Sequence, residues 1–247
     1  MSPSAPPYSA DCAFFLDVDG TLLEIAETPE AVQTDAADYR LLERLYAAAG
    51  GAVALVSGRT LAMIDELFAP LKLPAAGQHG FERRDGQNRR RRHRFDAARL
   101  RPIAAALRQF AAAHPGVVFE DKGASVALHY RLAPELRDAS HDQALAAAAL
   151  LPGEVEVQPG KMVWEVKPVG AHKGLAIEEF MREAPFRDRR PVYLGDDLTD
   201  EDGFHVVNRA GGHSIKVGAG ETVARWRLAD PAAARDWLEG WVNAYRR

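Results

Sequence analysis

The sequence predicts an α/β protein: a doubly wound, mostly parallel core with an inserted α+β unit. Three observations carry that prediction. Apolar runs alternate with helix-period segments in the first third of the chain and again in the last third. Three of those apolar runs end abruptly in polar, chemistry-bearing residues. The middle of the chain instead reads helix-strand-strand, twice over.

Residues 12–18 are expected as the first buried strand. Thr34 opens a helix with Leu41, Leu42, Leu45 and Tyr46 at core spacing, and Gly50-Gly51 closes it. Residues 52–56, Ala-Val-Ala-Leu-Val, are uniformly apolar, as a strand covered on both faces requires. Residues 60–69 form a short helix that ends at Pro70. The basic run from Arg83 to Arg94 surrounds Asp85-Gly86-Gln87-Asn88, a turn signal, and reads as a solvated β-hairpin beside the core sheet.

Residues 99–113 and 134–150 read as helices, and 117–120, 124–131, 154–158 and 162–168 as strands. That order predicts a small antiparallel sheet with two helices on one face. It places an insertion at 96–168 within a core of 1–95 and 169–247. Residues 173–183 return to helix, Pro191 precedes the strand Val192-Tyr193-Leu194, and 214–217 form another strand. Asp230 caps a final helix with Pro231 at its first position.

Composition excludes several classes. Of the 247 residues 47% are hydrophobic, enough for a substantial core, and the net charge of −4 gives no whole-chain signal for a polyanion partner. Cys12 is the one cysteine, so no internal disulfide forms, and a reducing compartment fits. It reads as a small core residue. No apolar stretch is long enough to span a membrane, and the N-terminal Pro/Ser tail lacks a signal-peptide core. A cytoplasmic monomer is expected.

Four blocks carry chemistry. Phe14-Phe15-Leu16-Asp17-Val18-Asp19-Gly20-Thr21 drives an apolar strand into two carboxylates. Ionised aspartate is rarely buried without a partner, but the carboxyl end of a parallel strand is where open α/β sheets place ligands. Side chains two apart share a face, so one carboxylate can attack while the other moves a proton. Ser57-Gly58-Arg59 follows the second strand, where a hydroxyl, outward amides and a helix start suit an anion. Lys173, opening a helix after His172, supplies a point positive charge for phosphate. Gly195-Asp196-Asp197-Leu198-Thr199-Asp200-Glu201-Asp202 packs five acids into seven residues after a buried strand, a repulsion that a cation such as Mg²⁺ relieves.

In this order the blocks resemble the haloacid-dehalogenase superfamily of phosphotransferases, which implies a Rossmann-like core. The resemblance implies Asp17 as nucleophile, Asp19 as general acid/base, and Ser57, Gly58 and Lys173 on the phosphate. It implies Mg²⁺ on Asp17, the Asp19 backbone carbonyl and Asp196, with Asp197 and Asp200 behind these ligands. Gln78-His79-Gly80-Phe81-Glu82-Arg83, Glu120-Asp121-Lys122, His129-Tyr130-Arg131 and Gly160-Lys161-Met162-Val163-Trp164-Glu165 extend the likeness to the bacterial trehalose-6-phosphate phosphatase family, from about residue 12 to residue 240. Phe81 stands where that family often has alanine, a local packing difference, and Glu82 is retained. This closer resemblance implies that Glu120, Lys122 and Glu165 of the insertion, the specificity cap, meet the disaccharide hydroxyls. It implies Arg59, His79 and Gly80 as further substrate contacts. A pocket for uncharged hydroxyls needs paired donors and acceptors, and rejects analogues that leave them unpaired.

The expected activity is therefore Mg²⁺-dependent hydrolysis of a phosphoric monoester, trehalose 6-phosphate, in trehalose biosynthesis, with neither nucleic acid nor membrane as partner. Two alternatives stand beside it. One is a related phosphatase or phosphomutase for another sugar phosphate; the other is a nucleic-acid-binding module built on the basic hairpin. For the insertion residues, local ion pairs (Glu120 with Lys122, Glu165 with Lys167) are the competing reading. His129, Trp164 and His172 read as packing or hydrogen-bonding residues.

Overall fold

The computed structural model describes residues 5–26 and 32–245, so the first four residues of the Pro/Ser tail lie outside the described residues. The chain divides into two compact units, Met1–Arg92 with His172–Arg247, and His93–Ala171. The sequence placed the insertion at 96–168.

The first unit opens with β1 (Cys12–Leu16), α1 (Ala36–Ala48), β2 (Val53–Val56), α2 (Leu61–Leu67), β3 (Ala75–Gly77), β4 (Glu82–Arg84) and β5 (Arg90–Arg92). The second unit holds α3 (Arg101–Ala113), β6 (Val118–Asp121), β7 (Val126–His129), α4 (Arg137–Ala148), β8 (Val155–Gly160) and β9 (Val163–Pro168). The first unit resumes with α5 (Lys173–Met181), β10 (Arg190–Gly195), α6 (Glu201–Arg209), β11 (His213–Val217), β12 (Trp226–Leu228) and α7 (Pro231–Ala244).

In the first unit one eight-stranded sheet runs β12-β11-β10-β1-β2-β3-β4-β5. The six strands from β12 to β3 are parallel, and β4 and β5 add an antiparallel hairpin at the edge. From β1 the chain winds one way to β2 and β3, and later the other way through β10, β11 and β12. The order therefore reverses between β1 and β10, the crevice where such sheets bind ligands.

Alternation along β1 shows why the strand is apolar throughout. Cys12, Phe14 and Leu16 join a core cluster with Leu42 and Leu45 of α1 and Trp237 and Trp241 of α7. Ala13 and Phe15 join a second cluster with Ile177 and Phe180 of α5 and Phe204 of α6. Both faces are covered, so neither parity tolerates a polar residue. The Phe14 and Trp241 rings meet edge to face at 4.7 Å.

The second unit is an antiparallel sheet in the order β6-β7-β9-β8. Ile103 and Leu107 of α3, Leu100 just before it, and Ala144 and Ala147 of α4 bury Val126, Leu128 and Val166 of one sheet face. Cross-strand partners share a face. The other face therefore carries the row Glu120, Ala127, Glu165 and Gln158, one residue from each strand.

Several elements differ from the sequence expectation. Asp35, not Thr34, caps α1, because it forms a capping box with Asp38 while Thr34 Oγ1 donates to the Leu67 carbonyl at 2.7 Å. Pro191 lies inside β10, near its start, where a missing donor is tolerated. The three-residue strands β3 and β12 and the helix α6 were not anticipated. The first two are too short for a periodic signal, and the acidic start of α6 masks its amphipathic turns.

The basic hairpin is only half solvated. Arg83 and Arg84 of β4 are buried: Arg84 grips Asp65 at 2.6 Å and the Leu73 carbonyl, while Arg83 pairs with Glu179 and Glu183 and stacks on Phe180. On the exposed arm Arg89, Arg90 and Arg92 face Asp85, Asp65 and Glu82. Among the described residues no helix is long and apolar enough to cross a membrane.

Cys12 is 2% exposed, and burial pushes its thiol up to about 11. Iodoacetamide at about pH 8 should leave the native protein unmodified yet label it fully in denaturant, because the thiolate is the reactive form. Intact-mass spectrometry reads this directly; rapid labelling of the native protein would contradict the buried strand.

Candidate active site

Three adjacent parallel strands deliver the acids and the hydroxyl. Asp17 follows β1, Ser57 follows β2, and Asp196 follows β10, so all three leave the carboxyl edge of the sheet at its centre. Asp17 stays anchored to the neighbouring strand, its backbone N–H donating to the Leu194 carbonyl at 3.0 Å. Lys173 enters as the first residue of α5, whose cap is His172; the His172 Nδ1 accepts the Leu175 N–H at 3.2 Å.

Lys173 is the hub. Its Nζ donates to Asp17 Oδ1 at 2.9 Å and to Asp200 Oδ1 at 2.7 Å, and it is 3% exposed. Burial alone lowers a lysine's pKa, but the Asp17, Asp200 and Asp197 carboxylates outweigh it and hold Lys173 well above its ordinary value. Asp200 is completely buried and fully employed. Oδ1 also accepts the Tyr193 hydroxyl, and Oδ2 accepts the backbone N–H groups of Asp196 and Asp197 at 2.9 and 3.0 Å. Burial pushes against its charge, yet Lys173 and these donors bring its pKa below the usual carboxylate value. Asp17 goes the other way. Burial and the Asp200, Asp196 and Asp197 charges raise it well above the carboxylate range despite Lys173. Asp197, also raised by burial and by Asp200, caps the turn that follows through Thr199.

Asp17, Asp196 and Asp200 each place a carboxylate oxygen within 4.8 Å of the others. An all-oxygen, all-anionic set suits a hard cation such as Mg²⁺. Among the described residues Asp200 spends its acceptor capacity on four donors, whereas each Asp17 oxygen takes one, from Lys173 or from Thr21 at 3.2 Å. Asp17 and Asp196 are therefore the better ligands, and Asp200 orients the loop behind them. The close approach is built in: Gly20 has φ +84°, and a Cβ there would lie 2.2 Å from Asp196 Oδ2.

Asp19 turns from this group towards Arg59, whose Nε and Nη2 grip its two oxygens at 2.8 and 2.6 Å. Ser57 Oγ accepts the Arg59 N–H at 3.1 Å. The helix start offers less to an anion than its position suggested, because Glu82 accepts Leu61 N at 2.7 Å and Thr60 accepts Met63 N at 3.1 Å. What remains is the Ser57-Gly58 turn itself. His79 packs over it, and a Cβ on Gly58 would lie 2.9 Å from the His79 ring. Gln78 and His79 both adopt left-handed backbone angles, φ 48° and 55°, a strain typical of sites. Gly80, at φ 98°, closes against the His172 carbonyl.

The structure thus brings Asp17, Lys173, Asp196, Asp197 and Asp200 together, and ties Asp19 to Arg59 beside Ser57, Gly58 and His79. Glu120, Lys122 and Glu165 belong to the second unit and form their own group. Lys122 Nζ lies 2.9 Å from Glu165 and 3.9 Å from Glu120, and His129 Nε2 lies 2.8 Å from Glu120. Glu165 therefore does not pair with Lys167, which reaches Glu156 and the Ala171 carbonyl.

Three contributors were missed in the sequence. Thr21 reaches both Asp17 and, at 3.4 Å, Asp196. Tyr193 donates to Asp200, and the buried Lys216 donates to the Asp196 carbonyl. A signal existed for the last two: a hydroxyl or an ammonium inside a buried apolar strand needs a partner.

A family model described as trehalose-phosphatase matches residues 15–233. The trehalose-6-phosphate phosphatase of Escherichia coli (strain K12) is 46% identical over 234 residues, 95% of this chain and 88% of that one. The C-terminal domain of C. albicans trehalose-6-phosphate phosphatase has a TM-score of 0.86 at 21% identity over 99% of both chains, a likeness of fold. A trehalose-6-phosphate phosphatase related protein has a TM-score of 0.74 at 28% identity, covering 94% of this chain and 97% of its own.

Asp200→Ala leaves the Lys173 ammonium with Asp17 alone and frees the Asp196-Asp197 backbone. Unfolding free energy should fall by about 3–5 kcal/mol, the range for removing one partner of a buried ion pair. Urea titration followed by circular dichroism measures it. A loss under about 1 kcal/mol would mean that the four hydrogen bonds of Asp200 are replaceable by water.

Proposed function

The chain belongs to the trehalose-phosphatase family, within the haloacid-dehalogenase superfamily, and we propose that it hydrolyses trehalose 6-phosphate to trehalose and phosphate with Asp17 as nucleophile. One observation supports this reading above the others: a buried carboxylate at the switch point of the sheet, held by a lysine and crowded by three further acids. That is an arrangement for receiving a phosphoryl group beside a cation.

Asp17, Asp196 and the Asp19 backbone carbonyl are the groups that would hold Mg²⁺, which when bound neutralises charge on the phosphate and on its ligands. Lys173 balances the phosphate oxygens from the other side, and the Ser57 hydroxyl and Gly58 amide complete the cradle. An Asp17 oxygen attacks phosphorus, the bond to the sugar oxygen breaks, and an aspartyl-phosphate forms. Asp19 gives its proton to the departing sugar oxygen. It then takes a proton from the water that attacks phosphorus and breaks the bond to Asp17.

Arg59 has a part in this sequence. With both oxygens held by Nε and Nη2 on one guanidinium edge, Asp19 is not free to meet the substrate. A substrate phosphate offers Arg59 a second anion, and transfer of the clamp frees Asp19 for acid-base work. Glu120, Lys122 and Glu165 of the inserted unit meet sugar hydroxyls, with the carboxylates as acceptors and the ammonium as donor. His79 steadies the Ser57-Gly58 turn against its strained backbone.

Asp17→Asn keeps the size of the side chain but removes the attacking anion. Phosphate release from trehalose 6-phosphate should fall by at least about 10⁴-fold, as for loss of a nucleophile, with unchanged circular dichroism. Activity within about tenfold of wild type would reject Asp17 as nucleophile.

EDTA should abolish turnover and Mg²⁺ should restore it. Unaffected turnover in EDTA would remove the cation from the mechanism.

Glu165→Ala separates sugar reading from chemistry. It should reduce kcat/KM for trehalose 6-phosphate far more than for p-nitrophenyl phosphate, which has no sugar hydroxyls. Equal losses on both substrates would assign Glu165 to folding.

A further inference from the structure

We propose that Gln158 is a further specificity-determining residue: its amide takes a sugar hydroxyl next to Glu165. This rests on the reading of the substrate as trehalose 6-phosphate.

The argument begins with register. Gln158 on β8 is the direct cross-strand partner of Glu165 on β9, so the two side chains leave the same face of the sheet. Glu165 is paired in turn with Ala127, and Ala127 with Glu120. The row Glu120, Ala127, Glu165, Gln158 crosses all four strands, about 14 Å at the usual strand spacing. Its second member is the smallest side chain in the row, which leaves room between the glutamates, and Lys122 reaches both of them across that gap. The row therefore offers carboxylate, ammonium, carboxylate and amide in sequence, on the scale of a disaccharide.

Chemistry singles out the last member. The apolar residues of β8, Val155 and Val157, pack with the helices on the opposite face. Gln158 is half-buried, and its Oε1 is sealed from solvent with no hydrogen-bond partner among the described residues. Buried carboxamide oxygens are normally satisfied, and an exception asks for an explanation. The Glu120, Lys122 and His129 groups of this face are engaged with one another, but Gln158 is not. A turn of the Gln158 amide about its terminal torsion would bring Oε1 out to accept a sugar O–H and so fill the vacant acceptor. The amide N–H₂ can donate to a neighbouring sugar oxygen, which a carboxylate at this position could not do. An amide beside a carboxylate thus reads a hydroxyl pair in both senses.

The test uses two variants of the full chain and two substrates. Gln158→Leu removes the amide at similar volume; Gln158→Glu keeps the acceptor and removes the donor. On trehalose 6-phosphate, kcat/KM should fall by about tenfold or more for the leucine variant and by less for the glutamate variant, as expected when a polar sugar contact is lost. On p-nitrophenyl phosphate both variants should stay within about twofold of wild type. Because the leucine variant also removes an unsatisfied buried acceptor, its Tm should hold or rise. A merely structural Gln158 would give a lower Tm and equal losses on both substrates, and that result overturns the inference. So does a kcat/KM for trehalose 6-phosphate within about twofold of wild type in both variants. If the wild type shows no preference for trehalose 6-phosphate over other sugar phosphates, the substrate reading fails and this inference with it. If that preference holds and the variants match wild type, only the role of Gln158 falls.

Discussion

Burying a lysine among carboxylates is the constraint on which the rest of the first unit depends. Lys173 and Asp200 are almost wholly removed from water, where an isolated ion is prohibitively costly. Each is tolerable only because the other is there, with Asp17 on the far side of the ammonium. The same lysine leaves its two partners in opposite conditions. Asp200 receives four donors and its charge is favoured; Asp17 receives two, faces three other carboxylates, and its charge is disfavoured. The difference lies in neighbouring charge and hydrogen bonding rather than in burial, which both share. It divides the acids into one whose charge is fully matched by donors and one whose charge is not.

That division propagates into the backbone. Asp200 holds the Asp196-Asp197 peptides, Tyr193 in β10 holds Asp200, and Lys216 in β11 holds the Asp196 carbonyl. Two neighbouring strands therefore set the loop that carries Asp196. On the β2 side, the strained Gln78-His79 turn and the glycine at 58 fit against each other, so the Ser57-Gly58 turn is shaped by steric exclusion more than by a helix terminus. The helix start there is already capped by Thr60 and Glu82.

The second unit solves another problem with the same economy. Its sheet has one face closed by α3 and α4 and one face lined by ions and amides. Strand alternation assigns every second residue to each task, so Trp164 and Val166 serve the core while Glu165 between them serves the polar face. The competing reading of these residues as local ion pairs is partly true of the geometry: Lys122 does bridge the two glutamates. In a polar face of this kind the pairs keep the groups oriented. The basic hairpin, by contrast, resolves into ion pairs with Asp65, Asp85, Glu82, Glu179 and Glu183, and its exposed arginines line a strand at the edge of the sheet, where like charge discourages further pairing.

The sequence by itself determined the alternating core, the helix-strand-strand insertion, and the identity of Asp17, Ser57, Lys173 and Asp196 as the residues at strand and helix ends. Each depends on local pattern: an apolar run that stops at a charge is visible in a few consecutive residues. The sequence also held, unread, the buried Tyr193 and Lys216. What only the tertiary structure decided is who faces whom. That Asp200 rather than Glu201 joins Lys173, that Arg59 takes Asp19, that Glu165 prefers Lys122 to Lys167, and that Gln158 stands beside Glu165 all depend on register and on side chains brought together from distant parts of the chain. Pairings between distant residues carry no periodicity. They are set by packing two faces of one sheet and by the energy of leaving a buried charge alone, and neither quantity exists until the strands are in place.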